Sequence, residues 1–117
     1  MVDPQPGFST ATVAGNFAYL SSVPASADQD VAAAVQQVFN FFNTTLASLG
    51  ATLDNVVRVT AYLEEISEFG AMNSAYVPYF PENPPARSTI QVSNPGQGSP
   101  VAFDVVAYLP NGAAASA

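Results

Sequence analysis

The stretch Pro84-Pro85-Ala86-Arg87-Ser88-Thr89-Ile90-Gln91-Val92, with the run Val101-Ala102-Phe103-Asp104-Val105-Val106-Ala107-Tyr108-Leu109 that follows it, decides how this chain folds. Paired prolines stop any helix and bias what precedes and follows them toward extended backbone. Both runs are then rich in β-branched and aromatic residues, the composition of strands. Each carries one charge that breaks its apolar pattern, Arg87 in the first and Asp104 in the second. Alternation along a strand places Arg87, Thr89 and Gln91 on one face of 86–93 and Ala86, Ile90 and Val92 on the other. In 101–109 it sets Ala102, Asp104, Val106 and Tyr108 together.

Arg87 is one of two cations in 117 residues; the other is Arg58. Two roles fit it. A planar guanidinium fork receives a carboxylate bidentately, or it forms a structural ion pair, with Asp104 or Glu82 as partner. Asp104 also has two roles. A lone carboxylate among apolar neighbours must be paired, wet or shifted in pKa, so it is a candidate for proton transfer. Equally, it serves as a structural partner of Arg58 or Arg87, or stands exposed at a strand edge.

Working back from these strands, Phe69, Met72, Tyr76 and Phe80 recur at helical spacing after Ser67, with Pro78 distorting the last turn. Asn73 falls on the edge of that apolar face, as a buried amide or a ligand contact. Val56 to Leu63 alternates as a strand, with Arg58, Thr60 and Tyr62 on one side. Glu64, Glu65 and Glu68 read as a solvated loop and helix start. Val31, Val35, Val38, Phe42, Leu46 and Leu49 mark one face of a helix from about Asp28 to Leu49, capped by Ser26 or Asp28, helped by Asp30, and stopped by Gly50. Thr10 to Ala14 and Phe17 to Ser21 form a hairpin around Gly15-Asn16. Residues 1–6 and 111–117 are expected to be flexible.

The order β-β-α-β-α-β-β makes one α+β domain over 1–117, with both helices on one face of a sheet. The opposite face keeps many apolar side chains, and a partner subunit is its natural cover. Only 9% of residues are charged, against about 25% in an ordinary soluble domain, which points the same way.

Missing residue types exclude much chemistry. Lysine, histidine and cysteine are all absent. That removes Schiff-base catalysis, the serine–histidine and thiol nucleophiles, disulfides and an ordinary zinc site. No glycine-rich nucleotide motif is present, so neither cofactor nor metal is expected. A net charge of −7 with two arginines argues against nucleic acid and anionic membranes. No apolar run approaches the ~18–20 residues of a membrane span. With no secretory leader visible, a cytoplasmic location is expected.

Several patterns together resemble the reactive intermediate deaminase (RidA, or YjgF-type) family, over about residues 7–109. These are Phe8 to Asn16 with its Gly-Asn turn, Leu49 to Thr60, Phe69 to Phe80 with Asn73 and Tyr76, and Pro85-Ala86-Arg87-Ser88-Thr89 before the apolar final strand. The resemblance implies a chorismate-mutase-like fold and a homotrimer with ligand pockets at subunit interfaces. It implies hydrolysis of reactive 2-imino or enamine acids to 2-oxo acids and ammonia. Arg87 would bind the substrate carboxylate, Thr89, Phe8 and Asn73 would line the site, and Asp104 would hold the attacking water. The chain departs from the family pattern at three places: Asp104 stands for a glutamate, Phe8 for a tyrosine, and Ser22 for a glycine beside a one-residue deletion. Two further readings remain, a non-catalytic trimer that binds small carboxylates and a structural or interaction protein.

Overall fold

The computed structural model describes residues 2–112; the part of the expected flexible tail at 113–117 lies outside the described residues. Six strands form one sheet: β1 (Val2–Gln5), β2 (Phe8–Ala14), β3 (Phe17–Pro24), β4 (Val56–Leu63), β5 (Ala86–Gln91) and β6 (Val101–Tyr108), in spatial order β1-β2-β3-β6-β4-β5. All pairs are antiparallel except β4 with β5. Helix α1 (Val31–Ser48) connects β3 to β4, and α2 (Phe69–Tyr76) lies between β4 and β5. A parallel pair needs such a crossover, and α2 with the proline-rich segment after it supplies one. The fold is the α+β arrangement expected, with β1 as an additional strand. Residues 2–5 were expected to be loose; instead they pair with β2, Val2 opposite Ala11 and Pro4 opposite Ser9. An edge strand accommodates Pro4 because its missing donor can face away from the ladder.

The Gly15-Asn16 hairpin is present, with Ala14 opposite Phe17. Gly15 has φ +60°, while Asn16 is not among the left-handed residues. That sign pattern belongs to a type II′ turn, where only the first central residue needs positive φ. In β3 the pairing with β6 slips between Leu20 and Val23. This bulge takes in Ser21 and Ser22.

Helix α1 starts later than expected. Asp30 is its cap, its carboxylate accepting from Ala33 N at 2.7 Å. Ser26 is used elsewhere, bonded to Gln37 through both its backbone and its hydroxyl, and Asp28 has left-handed backbone at φ +65°. At the other end Gly50 has φ +75°. Its N–H bonds Ala47 O at 3.0 Å and that of Ala51 bonds Leu46 O at 2.9 Å, the paired bonds of a Schellman ending.

The whole predicted stripe of α1, from Val31 to Leu49, is buried against the sheet. At the centre sits Phe39, whose ring lies 4.9 Å from Phe103, 5.2 Å from Tyr79, 5.6 Å from Tyr76 and 5.8 Å from Phe80. These contacts tie α1, the end of α2 and β6 into one cluster. Met72, Tyr76 and Phe80 are buried as their spacing indicated, but Phe69 is half-open at 39% exposure. Pro78 sits in a short 3-10 turn over Val77–Tyr79, which replaces the last helical turn. Helices cover only one sheet face. On the other, Phe17, Tyr19, Ile90 and Tyr108 stand exposed, the uncovered apolar surface foreseen from the alternation.

Candidate functional site

Register fixes which face each candidate occupies. Arg87 is level with Val59, and Thr89 with Ala61. Val59 and Ala61 are fully buried beneath the helices. Arg87 and Thr89 therefore belong to the helix side, on the edge strand of the sheet. Asp104 is level with Thr60, and Ser88 with that same Thr60. These residues share the open side with Arg58, Tyr62 and Ile90. Arg87 and Asp104 thus lie on opposite faces, and the pairing of one with the other is excluded within a protomer.

Arg87 reaches back over α2. Its guanidinium carbon lies 4.5 Å from the Tyr76 ring centroid and 5.5 Å from that of Phe69. Positive charge over aromatic faces is attracted by the ring quadrupole. Among the described residues the guanidinium pairs with no carboxylate, so the ion pair with Glu82 is not formed either. Tyr76 is buried, and burial raises its hydroxyl pKa while the nearby Arg87, by its charge and by polar contact with the hydroxyl, pulls it down. That contact falls short of hydrogen-bond geometry, and the hydroxyl has no other partner among the described residues. Asn73 falls four residues after Phe69 and three before Tyr76, on the same helix face. It is half-buried, and its amide makes no side-chain hydrogen bond among the described residues. Arg87 thus has two aromatic rings as its floor; Thr89 shares its side of β5, and Asn73 shares the face of α2 that carries those rings. The spacing of Phe69 and Tyr76 put both rings in the core; their service to Arg87 was missed, because nothing in a sequence says which strand passes over a helix.

Asp104 is half-buried and accepts a 2.7 Å hydrogen bond from Tyr62 Oη. That bond, then burial and the Asp104 charge, raise the Tyr62 pKa. Two strand spacings, about 10 Å, and the thickness of the sheet separate Asp104 from Arg87. Phe8 is more distant. It opens β2 and is 60% exposed; the β2 and β5 ladders are four spacings apart, about 19 Å. Arg58 points to the open side, donating to Ser88 Oγ at 2.6 Å. A separate cleft of about 450 Å³ is lined by Glu64, Glu65, Gln91, Val92 and Ser93. Its acidic wall disfavours an anion, and it contains none of the candidate residues. Among the described residues no cluster suits a metal ion, and no helix is long and apolar enough to cross a membrane.

Comparison with known proteins agrees with the architecture. A RutC family protein of Pyrococcus horikoshii is 30% identical over 108 residues, covering 86% of each chain. The 2-iminobutanoate/2-iminopropanoate deaminase of Rattus norvegicus is 34% identical over 77 residues, which is 66% of this chain and 56% of the rat protein. The crystal structure of yeast Mmf1 superimposes with a TM-score of 0.85 at 27% identity, covering 91% of this chain and 90% of that one. The family described as Endoribonuclease L-PSP matches residues 2–109. With both sequence and fold in agreement over that span, the chain belongs to this family, the one that holds the YjgF and RidA proteins.

Proposed function

We propose that the chain assembles as a homotrimer through its open sheet face and hydrolyses small 2-imino or enamine acids to 2-oxo acids and ammonia. The observation that carries this reading is Arg87, a guanidinium without a carboxylate partner, seated on two rings at a sheet edge. A substrate carboxylate docks on its fork. Thr89 and Asn73 line the same side and orient the ligand. Water adds to the imine carbon, giving a carbon that carries both hydroxyl and amine. Asp104 takes one proton from the water and passes it to the imine nitrogen. It then carries the hydroxyl proton to the amine, the C–N bond breaks, ammonia leaves, and the oxygen becomes the 2-oxo group. No redox step occurs.

Asp104 and Phe8 cannot reach the Arg87 of their own protomer from where they lie. In the proposed assembly each site therefore combines Arg87, Thr89 and Asn73 of one copy with Asp104 and Phe8 of another. The low charge of the chain and the exposed aromatic face support such an assembly. Cleavage of RNA is a poor fit for this chain, since a net charge of −7 offers phosphates no basic surface.

The test is ammonia release from 2-iminobutanoate generated in situ. Wild type should accelerate it, and Arg87→Ala and Asp104→Ala should each abolish the acceleration. Co-refolding the two dead variants in equal amounts should restore about a quarter of the sites, because a random trimer then pairs an intact Arg87 with a neighbour's intact Asp104. No acceleration by wild type would defeat the reading; no restoration on mixing would defeat the shared site.

A second reading has one observation in its favour. The Asp104 carboxylate is already bonded to Tyr62, which leaves it less free to handle water. In that case the trimer binds small carboxylates at Arg87 without turnover. Calorimetry with 2-oxobutanoate would show Arg87-dependent binding, and the imine assay would stay flat.

A further inference from the structure

We propose that Tyr76 is a positioning residue for Arg87: its ring face, and not its hydroxyl, holds the guanidinium in the orientation that receives an anion. The proposal rests on the carboxylate-receptor role of Arg87 given above and names what makes that role work.

Arg87 has the problem of any receptor arginine. Its side chain carries several rotatable bonds, and an unpaired guanidinium would sample many of them, losing affinity when a ligand orders it. Here no carboxylate or carbonyl of the described residues fixes the head group. What faces it is the Tyr76 ring at 4.5 Å, closer than Phe69 at 5.5 Å. The two rings differ in how firmly they are held. Phe69 is 39% exposed and Tyr76 only 4%. Tyr76 also packs on Phe39 at 5.6 Å and 76°, on Phe80 at 5.1 Å, and on Phe103 at 6.3 Å, nearly parallel at 15°. Neighbours from α1, β6 and the chain beyond α2 therefore lock its ring. A guanidinium seated on a ring face keeps its N–H donors around its rim, free to grip a carboxylate. The Tyr76 hydroxyl is buried and near enough to Arg87 for a polar contact to lower its pKa, but it meets hydrogen-bond geometry with no partner among the described residues, so the ring face is the contact that holds the head group. Sequence position alone makes Tyr76 a core residue; the geometry gives one ring two tasks, packing below and support above.

Two measurements test this, one of them independent of any ligand. With only Arg58 and Arg87 in the chain, the Arg87 Nε–H resonance is readily assigned by NMR in uniformly labelled protein. It should lie upfield of that of Arg58 through shielding by the ring. Tyr76→Leu should move it to the position of a free arginine, while Tyr76→Phe and Tyr76→Trp leave it shifted. An unshifted Arg87 signal in wild type, or the same signal in the leucine variant, would overturn the proposal whether or not the protein binds 2-oxo acids.

The second measurement is calorimetric titration with 2-oxobutanoate. Tyr76→Leu should weaken binding about 10-fold, within the range of a partly desolvated cation–π contact, and Tyr76→Phe less than about 2-fold. In an Arg87→Ala background the leucine change should have no further effect. If turnover is present, the loss should fall on KM, with kcat nearly unchanged. A phenylalanine variant as weak as the leucine one would assign the hold to the hydroxyl and refute the role of the ring. A wild type that binds no 2-oxobutanoate while its Arg87 resonance behaves as expected would instead remove the receptor role and leave the platform standing.

Discussion

Tyr62 donates a 2.7 Å hydrogen bond to Asp104 across the β4–β6 ladder, on the sheet face that no helix covers. The bond joins the single carboxylate of β6 to a phenol two residues along from its ladder neighbour Thr60, and it favours the protonated phenol. Hydrogen bonding to Asp104, burial and the Asp104 charge all raise the Tyr62 pKa above 10.0. A group whose pKa is raised in the folded state stabilises fully below its unfolded value and loses that stabilisation as pH climbs through the folded one. Tyr62→Phe should therefore cost about 1 kcal/mol at pH 8. It should also remove part of the stability that wild type loses above pH 10. Urea unfolding at both pH values checks this; equal alkaline losses in the two proteins would show that the pair contributes nothing to folding.

Lengthening the same carboxylate separates the two functional readings. Asp104→Glu adds one methylene and advances the oxygens by on the order of 1 Å, and positioning errors of that size are worth ~100-fold in rate. If Asp104 handles the attacking water from a short reach, Asp104→Glu should raise ammonia release from 2-iminobutanoate at least ~10-fold over wild type. A rate unchanged in either direction would remove Asp104 from the water-handling role and favour carboxylate binding without turnover.

The strands and helices were readable because their signals are local. The stripe from Val31 to Leu49 repeats at helical spacing, and all of it is buried. Two local readings failed for local reasons: Asp30 outcompeted Ser26 and Asp28 as the cap of α1, and residues 2–5, thought loose because of their proline and glycine surroundings, gained a neighbour in β2. The candidate site is different in kind. Alternation showed that Arg87 shares a face with Thr89 and that Asp104 shares one with Tyr108. It could not show that these are opposite faces, since that depends on how β4 is placed between β5 and β6. The aromatic seat of Arg87 depends on where α2 crosses the sheet, which is again a tertiary fact.

Ser99 gives a prediction on folding alone. It is fully buried in the connection between β5 and β6. Its hydroxyl accepts from Ala25 N at 3.1 Å and donates to Val101 O at 2.6 Å, so it ties the end of β3 to the start of β6. Alanine would leave both backbone groups without that partner in the interior. Ser99→Ala should destabilise the fold by about 1–3 kcal/mol, read as a lower urea midpoint with unchanged slope. Because Ser99 touches none of Arg87, Asp104 or Tyr76, the affinity for 2-oxobutanoate should be that of wild type wherever the variant remains folded.

The open face carries the last prediction. Tyr19 is 46% exposed there, beside Phe17 and Tyr108, whose rings meet at 5.5 Å. Tyr19 holds no hydrogen bond through its hydroxyl among the described residues, so a glutamate in its place meets water in an isolated protomer and should leave the monomer folded. In a trimer built on this face the same glutamate is buried three times over, with no cation but Arg58 on that side to compensate it, and an unpaired buried charge is strongly unfavourable. If wild type sediments as the proposed trimer, Tyr19→Glu should therefore sediment as a monomer, with the far-ultraviolet circular dichroism of wild type. Ammonia release should disappear together with the trimer, since neither half of the proposed site is sufficient alone. A Tyr19→Glu protein that still sediments as a trimer would place the subunit contact elsewhere, and a folded monomer that retained full activity would show that Arg87 acts without a second copy.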